Sequence, residues 1–380
     1  MAIYTDYSMK NIFIIFVLIS GVFQTTAQIT NVEEKFPLPE VLNESSGVIF
    51  FNNKLISHND SGHENKLYEL DTVTGSISRT VTITNATNVD WEDITQDDTS
   101  IYIGDIGNSN GDRVDLKVYK IAKNDYLAST NVIAEIIHYS YSDQIDFTYN
   151  PTNTVWDAEA LISFDENNLI LFTKNWVDGI TKAYPIPKTS GTYTVDPMPS
   201  ILQSGGLITG ATYNPATEKV YFIGYTSLLR PFIWVSEGFE GDDIFSGNNW
   251  RKSLTRELGF EQVEGITHVG ANSYFITSES FTIPPISDYG KLISFSTNDE
   301  VLSTIHHSTD TVSLYPNPVK NILFIDVPEF TSVEVYDVTS KLIFRRHSQK
   351  LDFSQLHEGL YILKIHLADG AYVIKKVIKK

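Results

Sequence analysis

Three glutamates recur at one place in a repeated phrase, and three carboxylates brought together do one of two things: share protons or hold a cation. The 380-residue chain carries five copies of the phrase. Each has a small or polar start, an apolar stretch, a turn and a second apolar stretch with a polar end. The copies are Ser45-Ser46-Gly47-Val48 before KLISHNDSG, Trp91-Glu92-Asp93-Ile94 before SIYIGDIGN, and Ala158-Glu159-Ala160-Leu161 before LILFTKNW. The others are Thr209-Gly210-Ala211-Thr212 before KVYFIGYTS and Val263-Glu264-Gly265-Ile266 before SYFITSES. The aligned positions are Ser46, Glu92, Glu159, Gly210 and Glu264, with Asp90, Asp93 and Asp157 beside them. The ends of the second stretches add His58 and Asp60, Asp105 and Asn108, Lys174 and Asn175, and Glu279. Oxygen ligands in a chain without cysteine favour a hard ion, and Ca²⁺ suits several carboxylates in an extracellular protein. The expected metal set is Glu92, Glu159, Glu264, Asp60 and Asp105. If such an ion polarised an ester or phosphoester oxygen, His58 is the candidate base. The plainer alternative is that these acids cap strand ends and bind only water.

The elements that must position these groups are strands. Residues 28–312 contain no convincing amphipathic helix, and Tyr (20) and Phe (21) are abundant, which favours β structure. The aligned positions are separated by 46, 67, 51 and 54 residues. Each copy is followed by a third apolar stretch (KLYELD, DLKVYKI, ITKAYPI, PFIWVSE, KLISFS), and in places by a fourth such as ISRTVTI. Four strands per unit of about 50 residues is the period of a β-propeller blade. The spacing predicts an all-β chain with a five- or six-bladed propeller over 28–312, with residues 29–39 closing the ring as an outer strand. Gly47, Ala160, Ala211 and Gly265 are small, as first strands crowded round an axis require. A β-sandwich is the competing fold. In a propeller the start of each first strand and the end of each second share one face, so the acids converge on one mouth.

Charge is divided unevenly. The formal net charge is −19, but residues from Ser313 onward carry 10 Lys+Arg against 7 Asp+Glu, leaving the rest at 18 against 40. So acidic a body repels nucleic acid and anionic membrane, and neither is expected as a partner. With no Cys there is no thiol nucleophile, thiolate metal site or disulfide. Asn108-Ser109-Asn110-Gly111-Asp112 lacks the spaced acids and final Glu of an EF-hand. No H-E-x-x-H motif occurs, and no G-x-S-x-G elbow is read: Gly107-Asn108-Ser109-Asn110-Gly111 has the bare spacing but falls in a turn between strands, with no helix expected after it.

At the front, Lys10, the apolar run Ile12 to Val22 and Thr25-Thr26-Ala27 have the anatomy of a secretory signal peptide over 1–27, with Met9 as an alternative start. At the back, residues 313–380 alternate apolar and polar positions in short stretches, with a hairpin signal at Asp369-Gly370. A small immunoglobulin-like β-sandwich is expected there. Leu314-Tyr315-Pro316-Asn317-Pro318, Val335-Tyr336-Asp337, Gly359-Leu360-Tyr361 and the lysine-rich end resemble the C-terminal sorting domain of type IX secretion cargo. That resemblance implies passage across both membranes, recognition by the type IX machinery, and release or attachment at the outer-membrane surface, typically with loss of the tail. Asp90-Trp91-Glu92-Asp93 with Gly104-Asp105-Ile106-Gly107-Asn108 resembles secreted propellers of the SdiA-regulated and esterase-like-phytase kind. It transfers no catalytic residue.

The sequence therefore predicts an exported, monomeric propeller with no membrane span after leader removal. Its first expected role is binding an extracellular ligand through an acidic mouth. A calcium-dependent hydrolase of esters or phosphoesters is second, and a structural or adhesive surface protein third.

Overall fold

The computed structural model describes residues 28–301, 312–327, 330–338, 341–367 and 372–380. The leader, the His306-His307 linker and the Asp369-Gly370 turn lie outside them. Residues 30–296 form five antiparallel blades. Blade one comprises Ser45–Phe51, Lys54–Asn59, Lys66–Leu70 and Ile77–Ile83; blade two, Trp91–Gln96, Ser100–Asp105, Lys117–Ala122 and Glu135–Tyr141. Blade three comprises Ala158–Ser163, Asn168–Thr173, Ile180–Pro187 and Ile201–Gln203; blade four, Leu207–Asn214, Lys219–Tyr225, Pro231–Glu237 and Asn248–Ser253. Blade five comprises Val263–His268, Ser273–Ser278 and Lys291–Ser296, completed on its outer edge by the chain's own first strand, Thr30–Pro37. The five innermost strands contact one another in a closed ring, blade five against blade one. The blade number is five, not six.

Strands leave later segments to stitch neighbours together. Asn131–Val132 adds in parallel to the outer strand of blade one, and Gly191–Val195 to that of blade two. The cores lie between blades. Trp91, Ile103 and Tyr119 meet Ile49 and Ile56, while Phe172 packs edge-on against Phe222 at 4.7 Å. Aromatic and β-branched side chains fill the wedge that widens outward from the axis, where strands alone would leave space.

Near the axis the reverse holds. The innermost strand of every blade has a register shift near its start, one extra residue opposite its partner. The bulged residue is turned out of the ladder toward the axis. The next position is pressed by the neighbouring blade: a Cβ on Gly47 would lie 2.9 Å from Asp93 Cα, and one on Gly210 would collide with the Glu264 carbonyl. In blade four the bulged residue is Thr209, so the counterpart of the glutamates is Thr209 and Gly210 is the crowded small position. That is a one-residue correction to the aligned set.

The tail folds as two sheets around its own core. Ser313–Tyr315, Ile322–Asp326 and Lys350–Asp352 form one; Leu342–Arg346, Phe330–Asp337, Gly359–Leu367 and Tyr372–Lys379 form the other. Val333, Val335, Leu363 and Ile365 point inward against Phe353. Among the described residues no helix is long and apolar enough to cross a membrane.

Candidate functional site: an acidic mouth

The bulges set the first ring of side chains at the mouth: Ser46, Glu92, Glu159, Thr209 and Glu264. The strand ends opposite them supply a second ring, in which Asp60, Lys174 and Glu279 follow the last paired residues of blades one, three and five, and Tyr225 is the last paired residue of blade four. Blades one and four, which have hydroxyls in place of glutamates, use them to tie the ring: Ser46 Oγ donates to the Glu92 carbonyl at 2.6 Å and Thr209 Oγ1 to the Val263 carbonyl at 2.6 Å.

Asp60, Asp90 and Glu92 each bring a carboxylate oxygen to within 4.8 Å of the others, a spacing suited to one cation. Gly107 backs this trio, and a Cβ there would collide with Glu92 Oε1 and Asp90 Oδ2. Asp90 comes from the loop entering blade two and was expected only as a flanking acid. Its carboxyl is pushed up to about 7 by burial and by the charges of Asp60 and Asp157. Burial and the neighbouring acids Asp60 and Glu159 hold Glu92 well above the usual carboxylate range.

The other expected ligands are placed differently. Both Glu159 oxygens contact Lys174 Nζ, a buried cation that also sits 4.9 Å from the Trp176 ring centre. Glu264 receives the Tyr225 hydroxyl at 3.3 Å, and burial raises it to about 7. Glu159 feels the charge of Glu264, and Glu92 that of Glu159, so the three glutamates share one electrostatic site. Asp105 is committed to Arg113 at 2.8 Å and Lys117 at 3.4 Å, and it accepts the Asp90 amide at 3.1 Å. It braces the trio without joining it. His58 is wholly buried, edge-on to Trp91 at 5.6 Å, and its Nδ1 lies 3.0 Å from the Asn59 carbonyl. Burial lowers its pKa to about 4, and the ring has no exposed edge from which to act as a base at the mouth.

Asp93 was read only as a neighbour of Glu92. It occupies the crowded position of blade two, and it is wholly buried. It accepts the amides of Ile94 and Leu161 at 2.8 Å and of Ala211 at 3.4 Å, joining blades two, three and four across the axis.

The Glu159–Lys174 pair gives a direct test. Glu159→Gln removes the carboxylate in direct contact with the buried ammonium, leaving more distant acids such as Glu264 and Asp157 to balance it, and should destabilise the protein by about 2–3 kcal/mol. Adding Lys174→Met should recover most of that loss in urea unfolding; no recovery would show the pair to be independent.

Loops joining second to third strands, and each blade to the next, open on the same face. They expose Val114, Ile145, Tyr149, Leu228, Ile283 and Tyr289 around the acids. The segment carrying Ile145 and Tyr149 is laid along the loop of blade two by Asn150 N–Asn110 O and Thr152 N–Ser109 O bonds of 2.9 and 2.8 Å. On the other face, the turns between third and fourth strands expose Val73 and Leu127.

Residues 313–380 match the family model described as the secretion system C-terminal sorting domain. A tail of this kind marks type IX secretion cargo, and the protein is exported to the extracellular space or the cell surface. The chain is 32% identical over 72 residues to β-agarase D of Zobellia galactanivorans, covering 18% of this chain and 15% of that enzyme. It therefore spans about 15% of the length of that curated relative. Among solved structures, a glucose dehydrogenase is similar at a TM-score of 0.40 and 9% identity, covering 70% of this chain and 98% of that one. The hydrazine synthase of Kuenenia stuttgartiensis is similar at 0.33 and 11%, covering 90% and 97%. A chain of the mitotic checkpoint complex is similar at 0.35 and 8%, covering 79% and 98%. Likeness at this level bears on neither activity nor ligand.

Proposed function

We propose that the protein is an exported binding propeller whose acidic mouth takes Ca²⁺ and whose surrounding apolar loops meet an extracellular partner. The carrying observation is the Asp60–Asp90–Glu92 trio, three acids within reach of one ion and with no lysine or arginine paired to them among the ion pairs of the described residues. Asp60, Asp90 and Glu92 would hold the ion, which would neutralise charges that otherwise raise their own protonation. Exposed apolar side chains gathered on that face favour a contact surface over a solvated exterior. His58, the base suggested by the sequence, is closed off from the mouth, which favours binding as the role.

The test uses the leaderless chain, chelated and then titrated with Ca²⁺ by calorimetry and by melting. One binding event and a rise in melting temperature are expected, both lost in Glu92→Gln. Saturation is worth about 2.7 kcal/mol at a hundredfold excess over Kd. Absence of heat and of any melting shift at about 5 mM Ca²⁺, a weak extracellular affinity range, would remove the ion from this reading.

A further inference from the structure

The channel has a second mouth, on the face opposite the acids. An axial void of only about 30 Å³, lined by Val48, Ile94, Ala211 and Ile266, separates the two. Beyond it the turns between first and second strands, with Lys123 and Lys188, border an open cavity of about 650 Å³. Its walls combine three kinds of group. Phe164 and Tyr213 are half-buried with rings 5.1 Å apart, and Phe50 lines the cavity with them. Four carboxylates, Asp97, Asp98, Asp165 and Glu166, stand against two lysines, Lys123 and Lys188. Gln96 and His268 border both the cavity and the axial void.

These walls are fixed before any ligand arrives. Lys188 Nζ holds Asp97 at 2.9 Å and the Asp165 carbonyl at 2.6 Å, joining blades two and three. Asp97 also accepts the Thr99 amide at 2.9 Å and the Tyr102 hydroxyl at 2.8 Å, and Asp165 accepts two amides of its own turn at 2.7 and 2.6 Å. Gln96 Nε2 donates to the Phe50 carbonyl at 2.7 Å, while its buried Oε1 has no hydrogen-bond partner among the described residues. Burial keeps His268 neutral, with Nδ1 3.1 Å from Thr212 Oγ1.

The combination selects a class of ligand. An acid excess disfavours anions, the lysines disfavour a bare cation, and the polar walls disfavour a purely apolar guest. Half-exposed rings offer flat apolar faces, and the surrounding oxygens accept from hydroxyl groups. We infer that this second mouth is a saccharide site taking one or two uncharged pyranose rings, with Phe164 and Tyr213 against the ring faces and the exposed carboxylates of Asp98 and Glu166 accepting sugar hydroxyls. The volume lies within the usual range for small-molecule pockets, and the site is independent of the calcium mouth.

The test exposes the full leaderless chain to cellobiose, lactose and digalacturonate, using saturation-transfer NMR and calorimetry. Transfer to at least one of the two neutral disaccharides is expected at about 10 mM, the range of a weak site. Asp98→Ala combined with Glu166→Ala, which removes the exposed acceptors, should weaken it about tenfold. Phe164→Ala should weaken it similarly, with melting temperature checked alongside. Glu33→Gln, an exposed position on the outer strand Thr30–Pro37, should leave it unchanged. No transfer from either neutral sugar, tighter binding of digalacturonate, unchanged binding by the Asp98→Ala, Glu166→Ala variant, or loss in folded Glu33→Gln would each overturn the assignment.

Discussion

Asp90→Asn should stabilise the chelated protein above pH 7 and destabilise it, relative to wild type, once calcium is added. The sign follows from the direction of the shift. The folded-state pKa of Asp90 is raised to about 7 by burial and neighbouring acids, so folding favours the protonated form between pH 4 and 7. The stability that protonation lends is fully present below the unfolded value and lost as pH rises through about 7. Asn has no such loss, and at pH 8 the variant should be more stable by roughly 2–4 kcal/mol, a gap that closes below pH 4. His58 and His268 are both lowered to about 4, so their protonation weakens the fold as pH falls below 6.5. They are common to both proteins and cancel in the comparison. Calcium reverses the ranking because a neutral amide is a poorer ligand than a carboxylate. Urea unfolding at pH 4, 6 and 8, with and without Ca²⁺, reads all of this. Identical curves at pH 8 in both conditions would mean that the Asp90 charge neither opposes folding nor meets an ion.

Asp93→Ala should be the most damaging single change near the axis. The side chain accepts amides from its own blade and from blades three and four, where no solvent can replace it. Removing it orphans these buried donors at about 1–3 kcal/mol each, a total near 3–5 kcal/mol once partial relaxation is allowed. Melting should fall by roughly 10 °C. Asp93→Asn keeps one acceptor and should lose less than half as much. Wild-type melting in the Ala variant would show that the three blades are held together by packing alone.

Much of the wheel was legible because a blade repeats a pattern, and patterns survive in a string of residues. The order of strands, the outer strand from residues 29–39 and the small positions beside the glutamates all follow from period and crowding. Individual partners did not. A bulge adds one residue without marking it, so Ile208-Thr209-Gly210 was read one place out. Asp105 looked free because Arg113 and Lys117 reach it from the next loop and strand. His58 ends a second strand like Asp60, yet it faces Trp91 of the neighbouring blade, and nothing in KLISHNDSG distinguishes the two directions. Asp93 carries no local sign of its role, since its partners lie 68 and 118 residues away. The second mouth is built from turns whose residues are ordinary turn formers, and only their assembly makes a cavity.

The clasp between Thr30–Pro37 and Lys291–Ser296 has a consequence for the order of events. A chain synthesised N-terminus first delivers one half of the clasp at the outset and the other some 266 residues later. Contacts so distant in sequence form late and close the loop only when everything between is present. Until the fifth blade arrives the wheel cannot close, and any body truncated before Ser296 is left with an unpaired edge.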